Sequence, residues 1–262
     1  MILELIIYIF VAVLGLCIGS FLNAVIYRLE VEKSLKGRSF CPHCEHTLSW
    51  LDLFPVFSFL FLGGKCRYCK KKISWQYPVV ELATGLVFLL ILNFKFEILN
   101  QFEIYKFLNL AFLFYIAGAM IIIFVYDLKH SLIPDKVLLP AIGIMLIYDA
   151  INYHQILNNF MAAIVAGGFF LLIFLFSKGR AMGFGDVKLA VLMGLLLGFP
   201  KILVALFLAF FFGAIIGLIL IAWQKKGLKS EISFGPFLIM GTFIALFWGS
   251  QLISFYVHLF QI

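Results

Sequence analysis

Charged residues are scarce in this sequence. They make up 13% of the 262 residues, whereas 64% are hydrophobic and the mean hydropathy is +1.11. No soluble core requires so large an apolar fraction, so the composition excludes a soluble globular fold. The chain also lacks internal repeats and a low-complexity linker. Together these absences favour a single helical body within a membrane.

A cleavable signal peptide is lacking as well. The sequence begins MILELIIYIF, with an acidic Glu4, no basic region before the apolar run and no small-residue cleavage pattern after it. We therefore expect the first apolar run to be retained as the first membrane span.

Eight apolar runs can be counted. A helix rises about 1.5 Å per residue and the hydrocarbon layer is about 30 Å thick, so about 20 residues span it. The runs lie at 3–27, 78–94, 105–126, 137–153, 156–177, 186–199, 201–223 and 234–260. Most of them meet this length, and the run at 186–199 is the shortest. The predicted fold is an all-α polytopic membrane protein with about eight transmembrane helices.

Basic residues predict the orientation of these spans. If the N-terminus lies outside and the spans alternate, only Lys95, Lys106 and Lys201 of the 20 Lys and Arg residues fall in outside loops. The positive-inside rule therefore supports eight spans with both termini outside. The net charge of +7 is explained by topology and gives no reason to expect a nucleic-acid partner.

Four of the five cysteines lie in one long, polar and basic connection on the inside, residues 28–77. It follows a first helix at 1–27 and precedes a seven-helix body at 78–262. Its two CxxC pairs, Cys41 with Cys44 and Cys66 with Cys69, form the ligand pattern of a zinc ribbon. Four thiolates leave no open position, so such a zinc would be structural. Disulfides or idle thiols are the alternatives, and a reducing inside compartment disfavours disulfides.

Two aspartates are predicted to meet at the inside face. Asp127 ends the third span, in FVYDLKHSLIPDK, and Asp186 begins the sixth, in GFGDVKL. Two carboxyl groups held together share a proton, so one acts as base towards water and the other as acid towards the substrate. Gly183 and Gly185 would let a peptide backbone approach closely. This is the chemistry of an aspartic protease.

A purely structural interpretation fits each acid taken alone. Asp186 can cap its helix while Lys188 neutralises it, and Asp127 can be an ordinary solvated residue. The remaining acids near the spans are predicted to be structural: Asp135 as the N-cap of the fourth span, Asp149 as an interfacial residue and Glu81 as a partner of Arg28. Cys17, in the first span, is predicted to be a packing residue.

Four sequence blocks resemble one family. They are GSFLNAVIYRL (19–29), the cysteine block CPHCEHTLSWLDLFPVFSFLFLGGKCRYC (41–69) followed by ISWQYPVVEL (73–82), YDLKHSLIPD (126–135) and GFGDVKL (183–189). In this order they resemble the type IV prepilin peptidases, the bifunctional leader peptidase and N-methyltransferase enzymes of pilus, type II secretion and competence systems.

The resemblance implies more than the residues do. It implies that Asp127 and Asp186 are the catalytic pair and that a short basic leader is cut from prepilins or pseudopilins at the cytoplasmic face of a bacterial inner membrane. It also implies methylation of the new N-terminus from S-adenosylmethionine. The sequence contains no dinucleotide-type glycine pattern or other methyl-donor pocket, so no residue is assigned to that cofactor.

A non-catalytic transporter or assembly scaffold with a zinc-ribbon docking domain is the alternative function. An ion path requires carboxylates at mid-bilayer depth, whereas Asp127 and Asp186 are predicted at the inside ends of their spans. Their position disfavours this alternative.

Overall fold

The computed structural model of the protein describes residues 2–94, 104–180, 182–222 and 233–259. Within these ranges the chain forms nine α-helices and a 3₁₀ turn at Trp50–Leu53. The helices in chain order are α1 (Ile2–Glu30), α2 (Phe57–Phe61), α3 (Gln76–Phe94), α4 (Ile104–His130), α5 (Asp135–Ile151), α6 (Tyr153–Ser177), α7 (Phe184–Leu197), α8 (Lys201–Ala222) and α9 (Gly235–Leu259). The predicted helical class is confirmed.

Six helices in the described ranges are long and apolar enough to cross a membrane, namely α1, α3, α4, α6, α8 and α9. Helix α5 has 17 residues and α7 has 14. These lengths correspond to about 26 Å and about 21 Å, both below the hydrocarbon thickness of about 30 Å. The prediction of a membrane protein is therefore confirmed, whereas the count of eight membrane spans stays a prediction.

The chain packs as two compact units, Met1–Ile122 and Ile123–Ile262, with α4 continuing from one into the other. In the first unit α1 packs closely against α3, because a side chain at Gly15 would lie 2.7 Å from the Cα of Gly85. Small residues let two backbones approach where no polar group drives association. Further along α3, the Phe88 ring stacks on Phe114 at 4.0 Å between centroids.

Helix α7 lies in the core of the second unit. It is apolar on all sides, and nine of its 14 residues are buried, as expected for a helix surrounded by other helices. Its contacts with α6 are close, because a side chain at Gly194 would collide with the backbone of Ala163. Helices α5 and α9 also contact α7. Asp186, in the first turn of this buried helix, is therefore placed by the protein core.

The cysteine insert differs from a zinc ribbon in its secondary structure. Its described residues form two isolated β-bridges, Phe40 with Thr47 and Lys65 with Lys72, in place of a sheet. The ribbon-like fold is thus not confirmed, although the cysteine cluster is described below. The prediction for Cys17 is wrong in one respect, because its side chain is exposed on α1 and is not packed inside the protein.

Candidate active site and metal centre

Asp127 lies in the last turn of α4 and is only 4% exposed. The hydroxyl of Ser233 donates a hydrogen bond to its Oδ2, and the backbone N–H of Gly235 also donates to this carboxyl group. Because α9 begins at Gly235, its N-terminal dipole points towards the Asp127 carboxyl. Asp127 is therefore a buried acid held by the start of another helix, and the interpretation as a solvated residue is wrong.

Asp186 lies in the first turn of α7 and is 7% exposed. The backbone N–H of Gly183, which is the N-cap residue, donates to Asp186 Oδ2 at 3.2 Å. The carboxyl group thus supports the start of its own helix from the third helical position, where an acidic side chain is favourable. Asp186 is therefore not the N-cap residue itself, although its carboxyl group does accept a hydrogen bond from that residue.

The two acids are brought together in the second unit. Asp127 lies near enough to Asp186 for their charges to interact. The side chain of Ile133 lies next to the backbone beside each acid. Its Cδ1 would be 3.3 Å from a Cβ at Gly185 and 3.4 Å from a Cβ at Gly235. Two carboxyl groups that are 59 positions apart in the sequence therefore share one buried site.

The two glycines before Asp186 have different surroundings. A Cβ at Gly185 would lie 2.9 Å from the Cβ of Ile133, so the protein itself fills this side. Among the described residues, a Cβ at Gly183 would approach only Asp186 Oδ2, at 3.8 Å, and the nitrogen of Gly185, at 3.9 Å. The approach of a peptide backbone at Gly183 stays a prediction, whereas at Gly185 the side chain of Ile133 fills the space.

Lys188 does not neutralise Asp186. Its Nζ lies 2.7 Å from both carboxyl oxygens of Asp135, and 5.2 Å from the centroid of the Phe184 ring. Residues two positions apart face different sides of a helix, which explains why Lys188 turns away from Asp186. The prediction for Asp135 is also wrong, because Pro134 is the N-cap of α5 and Asp135 is the first helical residue.

Two further predictions about buried acids are wrong. Asp149 is only 2% exposed and accepts a hydrogen bond from Asn159 at 2.8 Å, so it is not an interfacial residue. Its Oδ2 has no hydrogen-bond partner among the described residues. Glu81 accepts a hydrogen bond from the backbone N–H of Val56 at 2.7 Å and does not pair with Arg28. Arg28 instead donates to backbone carbonyls at 34, 35, 37 and 38.

The four insert cysteines form one cluster. The sulfur atoms of Cys41, Cys44, Cys66 and Cys69 all lie within 4.8 Å of one another, and those of Cys41 and Cys69 are 3.9 Å apart. Zinc–sulfur bonds of about 2.3 Å in a tetrahedron place neighbouring sulfurs about 3.8 Å apart. The cluster therefore has the donor set and nearly the spacing that a tetrahedral metal ion requires.

The two cysteine turns have the same backbone arrangement. Cys41 N–H donates to the carbonyl of His46 and Cys66 N–H to that of Lys71, five residues on in each case. Each turn also has a residue with positive φ directly after its second cysteine, Glu45 at 54° and Lys70 at 59°. This repetition presents two thiols from each turn to the same point.

Asp52 of the 3₁₀ turn ties that turn to the second cysteine pair. Its carboxylate accepts hydrogen bonds from Arg67 at 2.6 Å and from Tyr68 at 3.1 Å, the two residues between Cys66 and Cys69. Burial opposes its ionisation, but hydrogen bonds from Ser49, Arg67 and Tyr68 outweigh this effect and lower the pKa of Asp52 to about 2. The Asp52 carboxylate is therefore charged at neutral pH.

Sequence reasoning missed Ser233 and Gly235, which contact Asp127. The signal was the segment SFGPFL, in which a small polar residue and a Gly-Pro pair stand at the predicted inside end of the last apolar run. Pro commonly stands in the first turn of a helix, so the pattern by itself indicates only a helix start. The contact of Ser233 with Asp127 crosses 106 positions, and such a contact requires the fold.

Comparison with known proteins agrees with these observations. Residues 13–94 match the Bacterial Peptidase A24 N-terminal domain, and residues 114–218 match the Type IV leader peptidase family. A prepilin leader peptidase/N-methyltransferase of Legionella pneumophila is 31% identical over 282 residues, covering 95% of this chain and 94% of that protein. The chain belongs to the prepilin leader peptidase/N-methyltransferase family. The resemblance inferred from the four sequence blocks is thus confirmed.

Other members of the prepilin leader peptidase/N-methyltransferase family match equally widely. The protein of that name from Bacillus subtilis is 30% identical over 252 residues, covering 94% of this chain and 96% of its own. The one from Stutzerimonas stutzeri is 30% identical over 282 residues, covering 94% and 92%. No solved structure matches the chain. Asp127 and Asp186 both lie within the matched leader peptidase region, and all four clustered cysteines lie within the N-terminal domain match.

Proposed function

We propose that this protein is a membrane aspartic endopeptidase that removes the leader from type IV prepilins or pseudopilins and N-methylates the new N-terminus. The observation that carries the peptidase is the meeting of two buried carboxyl groups, Asp127 and Asp186, at the ends of separate helices. Family membership supports both activities, because the relatives are named for the peptidase and the methyltransferase.

The hydrogen bonds suggest different roles for the two acids. Asp127 accepts from two donors, Ser233 and Gly235, whereas Asp186 accepts from Gly183. Donors stabilise the charged form of a carboxyl group, and two nearby carboxyls do not both ionise easily. We therefore assign the negative charge to Asp127, as the base, and the shared proton to Asp186, as the acid.

With this assignment, protons balance in both steps of peptide hydrolysis, the addition of water and the cleavage of the C–N bond. Asp127 accepts a proton from water while the water oxygen bonds to the scissile carbonyl carbon, and Asp186 donates its proton to the carbonyl oxygen. In the second step the C–N bond breaks, Asp127 returns its proton to the leaving amine, and Asp186 recovers a proton from a hydroxyl of the intermediate. The pair is restored to its starting state.

The meeting of three helix ends, those of α4, α7 and α9, supports eight crossings of the membrane. Asp127 ends α4, α9 begins with residues that bind it, and α7 begins beside it. If α5 did not cross the membrane, α7 would begin at the face opposite the end of α4. If α7 did not cross, α9 would begin at that opposite face. The contacts therefore support crossings by both short helices.

The distribution of Lys and Arg supports placing this shared face in the cytoplasm of a bacterial cell, with the protein in the inner membrane and both termini outside. Prepilins and membrane lipid are then its partners. The acids lie at helix ends, and not at mid-bilayer, which favours the peptidase over a transporter or scaffold.

Zinc is the metal that fits the cysteine cluster, since four thiolates in a tetrahedral arrangement leave no open position. Cys41, Cys44, Cys66 and Cys69 would hold it, and the ion would join the two cysteine turns in a structural role. S-adenosylmethionine is the methyl donor that the relatives' name implies. We assign no residue of the described ranges to it and derive no step through it.

The test uses purified protein, a prepilin that carries its leader, and mass determination of the prepilin N-terminus. Asp127→Asn and Asp186→Asn should each slow leader removal by about 10²–10⁴-fold, the range for losing a general acid or base. Asp135→Asn is the matched control and should cleave normally. Cleavage by either Asn variant at the control rate would remove that residue from the mechanism. A wild-type protein that leaves the prepilin mass unchanged would favour the scaffold alternative.

A further inference from the structure

The cysteine insert carries an aromatic segment, residues 50–61, that a water-exposed connection does not explain. Within these 12 residues, WLDLFPVFSFLF, seven large apolar side chains are exposed. They are Trp50, Leu51, Leu53, Phe54, Phe57, Leu60 and Phe61. Phe61 is 87% exposed and Trp50 is 71% exposed. Exposed apolar patches of this kind mark an interaction surface.

The depth of the aromatic segment is set by Glu81. This residue lies five positions after Gln76, where α3 begins, which corresponds to about 7.5 Å along the helix. Its carboxylate accepts the Val56 N–H at 2.7 Å, so the turn between the 3₁₀ turn and α2 reaches that level of α3. Because α3 is apolar enough to span a membrane, the aromatic segment lies beside the entry of the span into the bilayer.

The backbone of the turn shows that this position is held firmly. Val56 has φ of 62°, a conformation that is unfavourable for a β-branched residue, and it precedes α2 directly. Glu81 is only 6% exposed, and its hydrogen bond offers the Val56 N–H a buried acceptor. On the inner side of the segment, Phe59 packs against Trp75 at 4.9 Å between ring centroids.

Charge near the segment fits a lipid headgroup layer. Five basic residues stand between positions 65 and 72, shortly before α3, and all are exposed: Lys65, Arg67, Lys70, Lys71 and Lys72. Clusters of basic residues next to a membrane helix attract anionic lipids. Aromatic rings are likewise favoured at the boundary between headgroups and hydrocarbon.

We infer that the aromatic segment (residues 50–61) is an interfacial membrane anchor, whose exposed rings enter the leaflet on the insert's side while the basic residues at 65–72 lie among anionic headgroups. The insert is then bound to lipid through residues 50–72 as well as joined to α1 and α3 at its ends. This role is separate from leader removal, so its test does not depend on activity.

The experiment measures fluorescence quenching in lipid nanodiscs that contain anionic lipid. The chain has four Trp residues, and one variant keeps only Trp50, with the other three replaced by Phe. In a background without any Trp, Phe61→Trp adds a second probe and His43→Trp adds the control. His43 is exposed between Cys41 and Cys44, outside the aromatic segment.

Lipids brominated near the glycerol end of their chains should reduce emission of Trp50 and of Phe61→Trp at least twofold. Aqueous iodide should quench both several-fold less than it quenches His43→Trp. The inference is overturned if iodide quenches all three probes alike and brominated lipid has no effect. It is also overturned if protection from iodide appears only after a prepilin is added, which would make the surface a protein-docking site. The Trp50 variant retains the whole native segment, so it decides the matter if Phe61→Trp does not fold.

Discussion

A single methyl group at position 235 offers a sharp test of the proposed active site. In Gly235→Ala the new Cβ would collide with Asp127 Oδ2, and it would lie 3.2 Å from Asp127 Cγ and 3.4 Å from Ile133 Cδ1. Gly235 does not have a positive φ, so the backbone at this position accepts alanine. The substitution therefore acts on the Asp127 carboxyl itself.

The expected size of the effect follows from this geometry. Relieving the collision requires the Asp127 carboxyl to move by about an ångström, and a misplacement of that size costs about 10²-fold in rate. This corresponds to about 2.7 kcal/mol in activation free energy. The strain of overpacking costs about 1–3 kcal/mol in the free energy of unfolding, part of which the better helix propensity of Ala offsets.

The assay compares initial rates of prepilin leader removal with the thermal midpoint of each purified variant. Gly168→Ala is the matched control, because Gly168 also lies in a helix of the second unit and a Cβ there would meet no atom of the described residues within 4 Å. We expect the control to cleave at the wild-type rate with equal or slightly higher stability. Gly235→Ala that cleaves as fast as Gly168→Ala would show that the start of α9 does not position Asp127.

Three other substitutions test separate contacts. Ser233→Ala removes a hydrogen bond to a charged group, worth about 1.5–3 kcal/mol, so leader removal should slow by about 10- to 150-fold; an unchanged rate would show that this hydroxyl does not support the base. Lys188→Met breaks an ion pair whose side chains are 24% and 52% exposed, so we expect a loss of unfolding free energy of at most about 1 kcal/mol and normal cleavage. A collapse of cleavage would mean that Lys188 acts on the catalytic acids after all. Cys66→Ser should abolish zinc binding, measured by metal analysis of the reduced protein, whereas Cys17→Ser should retain it because Cys17 lies outside the cluster. Equal zinc in both variants would exclude the cluster as the site.

Local sequence patterns predicted helices and the cysteine cluster well where one signal, such as an apolar run or a CxxC spacing, dominates. The apolar run at 105–126 corresponds to α4, which ends three residues beyond Asp127, and the short run at 186–199 corresponds to the buried α7. The two CxxC pairs predicted a shared metal site, because each spacing fixes two thiols on one turn. In these cases the chemistry is carried by residues close together in the sequence.

Contacts between distant residues were not predictable in the same way. The partner of Lys188 is Asp135, 53 positions away, although Asp186 is only two positions away. Ser233 and Gly235 reach Asp127 only because α9 begins beside the end of α4. Burial of Asp149 likewise depends on how α5 and α6 pack, and a position near a helix end gave no indication of it. Such pairings depend on tertiary packing, which periodicity and composition do not encode.

The link between Asp52 and the second cysteine turn would give a metal in the cysteine cluster an influence beyond its own ligands. Arg67 and Tyr68 are enclosed between two sulfur donors, and both bind the carboxylate of the 3₁₀ turn that opens the aromatic segment. An ion that orders this turn thereby orders the segment too. If zinc fills the cysteine cluster and the aromatic segment enters the leaflet, loss of the metal would first loosen the attachment of the insert to lipid.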